Sequence, residues 1–130
     1  MTGKDRIILQ KISTYIDDVA QYVDGFSFEK FKADKKTLSA CAFSVSQVGE
    51  LAKEISEETQ KLYTDIPWKS IRGMRNKIVH DYENIDLAVL WGTVTKSLPE
   101  LSRQIDSVLY QEIEELNVFS EEDEDLEMEP

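Results

Sequence analysis

The spacing of the large apolar residues constrains this chain more than any other feature. Ile8, Ile12, Ile16, Val19 and Val23 recur at intervals of three and four. An α-helix turns by about 100° per residue, so this spacing gathers them into one stripe. Leu9 and Tyr15 widen the stripe and Gly25 ends it. The spacing returns in Leu38, Ala42, Val45, Val48 or Gly49, Ala52 and Ile55, and again in Leu87, Leu90, Val94, Leu98, Leu101, Ile105 and Leu109. No stretch alternates apolar and polar residues as a half-buried strand does, and glycine and proline together number only eight. The expected fold is all-α, an up-down bundle of four to five helices with short connections.

Local signals place the boundaries. Helix one is expected over 2–24, with Thr2 and Asp5 spaced as a weak capping box. The connection 26–34 holds Phe26, Phe28 and Phe31, a spacing that suits a short helical turn over the core. Helix two is expected over 34–62, with Ala40, Ala42, Gly49 and Ala52 small enough to let a neighbour approach. Helix three is expected over 67–82, opening at Pro67, whose missing N–H has no intrahelical partner in the first turn. Helix four is expected from the N-cap Asp86. Pro99 should kink or restart it, leaving 100–116 as a fifth piece.

Charge divides the chain in two. The net charge is −11, but residues 111–130 hold ten acidic side chains and no basic ones. The preceding 110 residues are nearly balanced, with sixteen acidic against fifteen basic. The expected organisation is a helical domain over 1–119 and an acidic, disordered tail over 120–130. Net acidity therefore does not exclude a nucleic-acid partner, whose footprint would have to be local. The start of the chain has no extended apolar stretch and no run approaches a membrane span. The expected location is the cytoplasm, without membrane contact. The single cysteine, Cys41, excludes an intramolecular disulfide and reads as a buried, inert thiol.

Most of the chemistry-bearing residues lie between Ser70 and Asp86. Lys69, Arg72, Arg75 and Lys77 fall within nine positions with no acid among them, and His80, the only histidine, follows. Tyr82 is two residues further on. On an ideal helix Arg72, Asn76 and His80 share a face, while Arg75 and His80 point about 140° apart. They converge only if the helix ends or bends near His80, or if a second copy supplies its own. Ile71, Met74 and Ile78, with Val79 beside them, supply the buried side. Taken singly, each polar residue has an ordinary structural use: a histidine cap, a surface ion-pair arginine, a rim tyrosine. Together they fit metal-free RNA cleavage. Histidine moves protons near neutrality, arginine presents a planar charged fork to a phosphate, and tyrosine stacks on a base. One histidine and one distant cysteine supply no ligand cluster for zinc, so no metal or cofactor is expected.

The segment from Met74 to Tyr82, MRNKIVHDY, resembles the mark of the HEPN superfamily and of its small HepT-like toxins. That mark is an arginine, four intervening residues, a histidine, one residue and a tyrosine. The likeness extends to residues 5–12, to Pro67-Trp68, to Ile85-Asp86 with Val89-Leu90-Trp91, and to Leu98-Pro99 with Leu101. Gly49-Glu50-Leu51-Ala52 matches the family's midsection closely, whereas Asp81 stands where a glycine is common. The resemblance implies a homodimeric, all-helical, metal-independent ribonuclease. It would act as the toxin of a type VII-like pair whose antitoxin is a minimal nucleotidyltransferase. Carried over, Arg75 and His80 are catalytic and Asn76 orients them. Tyr82 accepts AMP from the antitoxin or touches RNA, and Lys69, Arg72 and Lys77 are candidate RNA contacts. The alternative is a non-catalytic helical partner of a nucleotidyltransferase, a reading to which Asp81 and the sparse basic surface lean.

Overall fold

The computed structural model describes residues 1–78 and 86–127, with side chains through residue 116. The described chain is all-α, as expected, but divided more finely than four to five helices.

Helix α1 spans Gly3–Tyr22, and the hydroxyl of its N-cap Thr2 accepts the Asp5 N–H at 3.0 Å. The chain leaves it through Gly25, whose φ of 74° lies in the left-handed region that glycine enters without a Cβ clash. Helix α2, Phe28–Ala33, is the expected short turn over the core: Phe31 is fully buried, 4.9 Å from the Trp91 ring centroid.

The helix expected over 34–62 is two helices. Helix α3 covers Lys35–Lys53, capped by Asp34, and α4 covers Glu57–Leu62. The division has a local cause. The Ser56 hydroxyl accepts the Thr59 N–H at 3.3 Å, and Glu57 and Glu58 place negative charge in the new first turn.

The helix expected over 67–82 also opens. Helix α5 covers Trp68–Arg72 and α6 covers Met74–Ile78. Gly73 stands between them with φ −87° and ψ −4°, a flattened conformation that glycine, a poor helix former, adopts readily. Pro67 occupies the N-cap position, one residue before the first turn. The expected continuation over 79–82 lies outside the described residues.

Helix α7, Leu87–Gly92, starts from Asp86, whose carboxylate accepts the Val89 N–H at 3.1 Å. It passes through a π turn, Thr93–Ser97, into α8, Leu98–Glu127. The expected break at Pro99 is thus displaced one turn upstream, and the separate fifth helix over 100–116 is part of α8. Proline lacks an N–H and its ring collides with the carbonyl four residues back, here that of Thr95. The wider π turn accommodates both problems. The hydroxyls of Thr93 and Thr95 donate to the Val89 and Trp91 carbonyls at 2.8 and 2.6 Å. The acidic segment expected to be disordered is helical through Glu127. Its glutamates and leucine are strong helix formers that extend an existing helix without a new nucleus.

Helix α1 packs most extensively on α3 and also on α8, and α3 in turn packs on α2, α5 and α6. Leu9, Ile12, Val45, Val48, Leu90, Leu98 and Ile105 form the heart of the core. Cys41 is buried there, and desolvation pushes its thiol up to about 11, so it is inert at neutral pH. Among the described residues no helix is long and apolar enough to cross a membrane.

Candidate active site

The position of the motif segment is set by a close crossing. A Cβ added at Gly49 of α3 would sit 3.2 Å from the Ile71 carbonyl oxygen and 3.9 Å from the Arg75 nitrogen. Only glycine lets α3 lie this near the backbone of α5 and α6. Ile71 and Ile78 are then driven fully into the core, with Met74 packed at its edge. Of the apolar residues read from the sequence as the buried side, Ile71 and Ile78 are buried and Met74 is partly so, while Val79 lies outside the described residues. Arg75, Asn76 and Lys77 consequently face outward, all exposed, as is Lys69. Trp68 anchors the start of the segment, its indole N–H donating to the Tyr63 carbonyl at 3.0 Å.

Gly49→Ala tests the crossing. Its new methyl meets a backbone oxygen that cannot swing aside, so overpacking of about 1–3 kcal/mol is expected. The melting temperature should fall by roughly 4 °C for each kcal/mol. An unchanged melting temperature would show that α3 can withdraw freely.

The electrostatics of the segment are local. A guanidinium nitrogen of Arg75 lies 3.4 Å from a Glu50 carboxylate oxygen, and Glu50 also accepts from Lys53 at 3.1 Å. The Lys53 contact first, and then Arg75, hold the Glu50 carboxyl below the usual carboxylate range. Arg72 is half-buried and donates to the Gln60 side chain at 2.7 Å. Of the expected RNA contacts, it is therefore engaged inside the protein, while Lys69 and Lys77 stand in solvent. His80 and Tyr82, with Asp81, lie outside the described residues.

Glu50 and Gln60 are the neighbours that sequence reasoning left without a role. For Glu50 a signal existed, since Gly49-Glu50 belongs to the midsection likeness. Gln60 had none, because its contact depends on the division of the helix at Ser56. A cavity of about 580 Å³ lies elsewhere, between residues 62–66 and α8, with Arg103, Gln104 and Gln111 in its lining. Among the described residues no three His, Cys, Asp or Glu side chains gather as metal ligands do.

The family model described as "Ribonuclease HepT-like" matches residues 12–108, from the middle of α1 to the buried Val108 of α8. The chain belongs to the HepT-like family. The match contains all of the motif segment and stops before the acidic end. A "Putative RNase" of Caldanaerobacter subterraneus subsp. tengcongensis is 33% identical over 107 residues, covering 82% of this chain and 96% of the relative. A "Probable ribonuclease HepT" of Thermococcus cleftensis is 32% identical over 100 residues, covering 77% and 91%. A "Putative RNase" of Methanocaldococcus jannaschii is 29% identical over 110 residues, covering 84% and 91%. No solved structure matches the chain.

Proposed function

We propose that this HepT-like chain is a ribonuclease that cleaves RNA by proton transfer without a metal ion, and that it is the toxin of a toxin–antitoxin pair. The observation that supports this most is the setting of Arg75. It stands on the solvent face of α6, fixed from behind by buried Ile71 and Ile78, within a family match that includes the motif. A guanidinium held there can pair with a phosphate and with the charge that develops on it. In the proposed reaction the ribose 2′-oxygen attacks the phosphorus and the bond to the 5′-oxygen breaks. One proton leaves the 2′-hydroxyl and one reaches the departing oxygen. His80 serves one of these transfers. Asn76, next to Arg75 and exposed, orients the pair.

Two proton positions and one histidine per chain argue for a homodimer, in which a second copy supplies the second imidazole. Light scattering at micromolar concentration should give the mass of two chains; the mass of one would reject the dimer. The partner in regulation is a nucleotidyltransferase antitoxin, and Tyr82 is the proposed acceptor of AMP. Incubated with that enzyme and ATP, the chain should gain the mass of one adenylyl group on Tyr82. A gain on another residue, or none, would reject the assignment.

One observation favours a second reading, a non-catalytic helical partner of a nucleotidyltransferase: the Glu50 carboxylate already lies against Arg75. Cleavage of a labelled RNA pool in excess EDTA decides between the two. Cleavage supports the ribonuclease. No cleavage, together with harmless expression in cells lacking the antitoxin, supports the partner protein.

A further inference from the structure

A groove of about 480 Å³ runs between α6 and the helix that carries α7 and the π turn. Ser70, Met74 and Lys77 line one wall, and Val89, Lys96 and Ser97 line the other. Its volume is within the 300–1,000 Å³ or so usual for sites that hold small molecules. The described lining contains two lysines, several hydroxyls and no carboxylate. Met74 and Val89 give each wall one apolar residue, Val89 remaining 39% exposed.

The proline in α8 explains how the second wall arises. A π turn inserts an extra residue into the helix, which re-aims the side chains it carries. The π turn that accommodates Pro99 carries Lys96 and Ser97, so both stand at a register that an uninterrupted α-helix would not give them. Gly92, also in the lining, adds no side chain to fill the space. The two walls are consecutive in the chain, and the stretch that joins them is the one bearing His80 and Tyr82 in the sequence. Arg75 lies two residues before Lys77.

The groove also has a direction. A narrower cavity of about 190 Å³ continues it, sharing Ser70, Met74 and Ser97, and there Glu100 enters the lining. Among the described residues the charged lining is two lysines beside Met74 and Ser70, and one glutamate, Glu100, further along.

We propose that this groove binds the phosphodiester backbone of the RNA strand next to the bond that is cut. Lys77 and Lys96 take one phosphate from opposite walls, the hydroxyls of Ser70 and Ser97 bond to its oxygens, and Met74 and Val89 meet the adjoining sugar or base. Glu100 repels the next phosphate and limits the groove to one or two nucleotides. This inference rests on the ribonuclease reading and deepens it, because Lys96 lies far from the motif in the sequence.

The test uses full-length protein and a 2′-O-methyl oligoribonucleotide, which cannot be cut, with binding followed by fluorescence anisotropy across a salt series. Lys96→Gln should weaken binding about fivefold at low salt. It should also lower the slope of log affinity against log salt by about one, the mark of one lost phosphate contact. Lys96→Arg should restore both. Lys11→Gln, the same loss of charge on α1, should change neither. Circular dichroism checks each fold. If Lys96→Gln and Lys11→Gln behave alike while the wild type binds and cleaves RNA, the groove is rejected and the ribonuclease reading stands. If the wild type neither binds nor cleaves RNA, both are rejected.

Discussion

Arg75→Ala should remove most metal-free RNA cleavage, by about 10²–10³-fold, and leave the fold as it is. The second half of that statement follows from packing. The Arg75 side chain is 54% exposed, and its ion-pair partner among the described residues is Glu50, itself 43% exposed. Contacts of that kind contribute about 0–1 kcal/mol. The buried work of α6 is done by Ile78, which the substitution does not touch. Arg75→Lys should recover only part of the rate, because an ammonium keeps the charge but not the planar pair of donors. His80→Ala should cost about 10²–10⁴-fold, the contribution of a positioned acid or base. No other side chain in this sequence has an unperturbed pKa near neutrality. Both variants are measured on a labelled RNA pool in excess EDTA, with circular dichroism alongside. Equal cleavage by wild type and His80→Ala would assign the activity to another site or to a contaminant.

The exposure of Arg75 follows from periodicity alone. Ile71, Met74 and Ile78 announce their side of the helix through three- and four-residue spacing, and the exposed side follows by subtraction. The same logic located the stripes of α1, α3 and α8, since each buries a continuous face. What periodicity could not show was where a helix stops. The stripe ends at Ile55 but the expected helix runs on to residue 62, whereas α3 ends at Lys53 and α4 starts anew at Glu57 after the Ser56 cap. A serine followed by two glutamates is a start signal, but after a long apolar stripe it looks like a solvated face. Gly73 carried a similar message just before the motif.

Pro99 was informative in the opposite sense. Its chemistry demanded a disturbance, and one exists, but the disturbance lies in the preceding turn and leaves the helix continuous. Sequence reasoning knows that a hydrogen bond must be lost; it does not know that five residues can share the loss as a π turn. That matters for the site, because the π turn brings Lys96 beside α6. The motif itself was legible as a string of residue types. Its neighbour Gln60 was not, because its contact with Arg72 depends on the helix break at the Ser56 cap, and Glu50 was legible only through the Gly49-Glu50 likeness, its contact with Arg75 resting on the crossing at Gly49.

Asp5→Ala should be among the most destabilising single changes in this protein, at about 2–4 kcal/mol. Asp5 is 1% exposed at the start of α1, yet its carboxylate reaches across to the start of α4. It accepts the Ser56 N–H at 3.1 Å and the hydroxyls of Ser56 and Thr59, each at 2.6 Å. Truncation would remove the acceptor of the buried Thr59 hydroxyl and of the half-buried Ser56 N–H and hydroxyl, and a buried group left unpaired costs about 1–3 kcal/mol. The loss would extend to the motif, because α4 carries the Gln60 that holds Arg72 of α5. The acid dependence has a definite sign. Burial alone would raise the Asp5 carboxyl, but the bonds from Ser56 and Thr59 outweigh it and hold the group below its ordinary value of 3.8. A folded-state pKa below the unfolded one gives stability that is present in full above about pH 4 and is lost as pH falls through the folded value. Asp5→Asn, which keeps the shape without the charge, should therefore melt lower than wild type at pH 7. The gap between the two should narrow as the pH drops below about 4. Melting curves from pH 7 to pH 2.5 make the comparison, and a gap that stayed constant across that range would show that the Asp5 charge adds nothing to the brace.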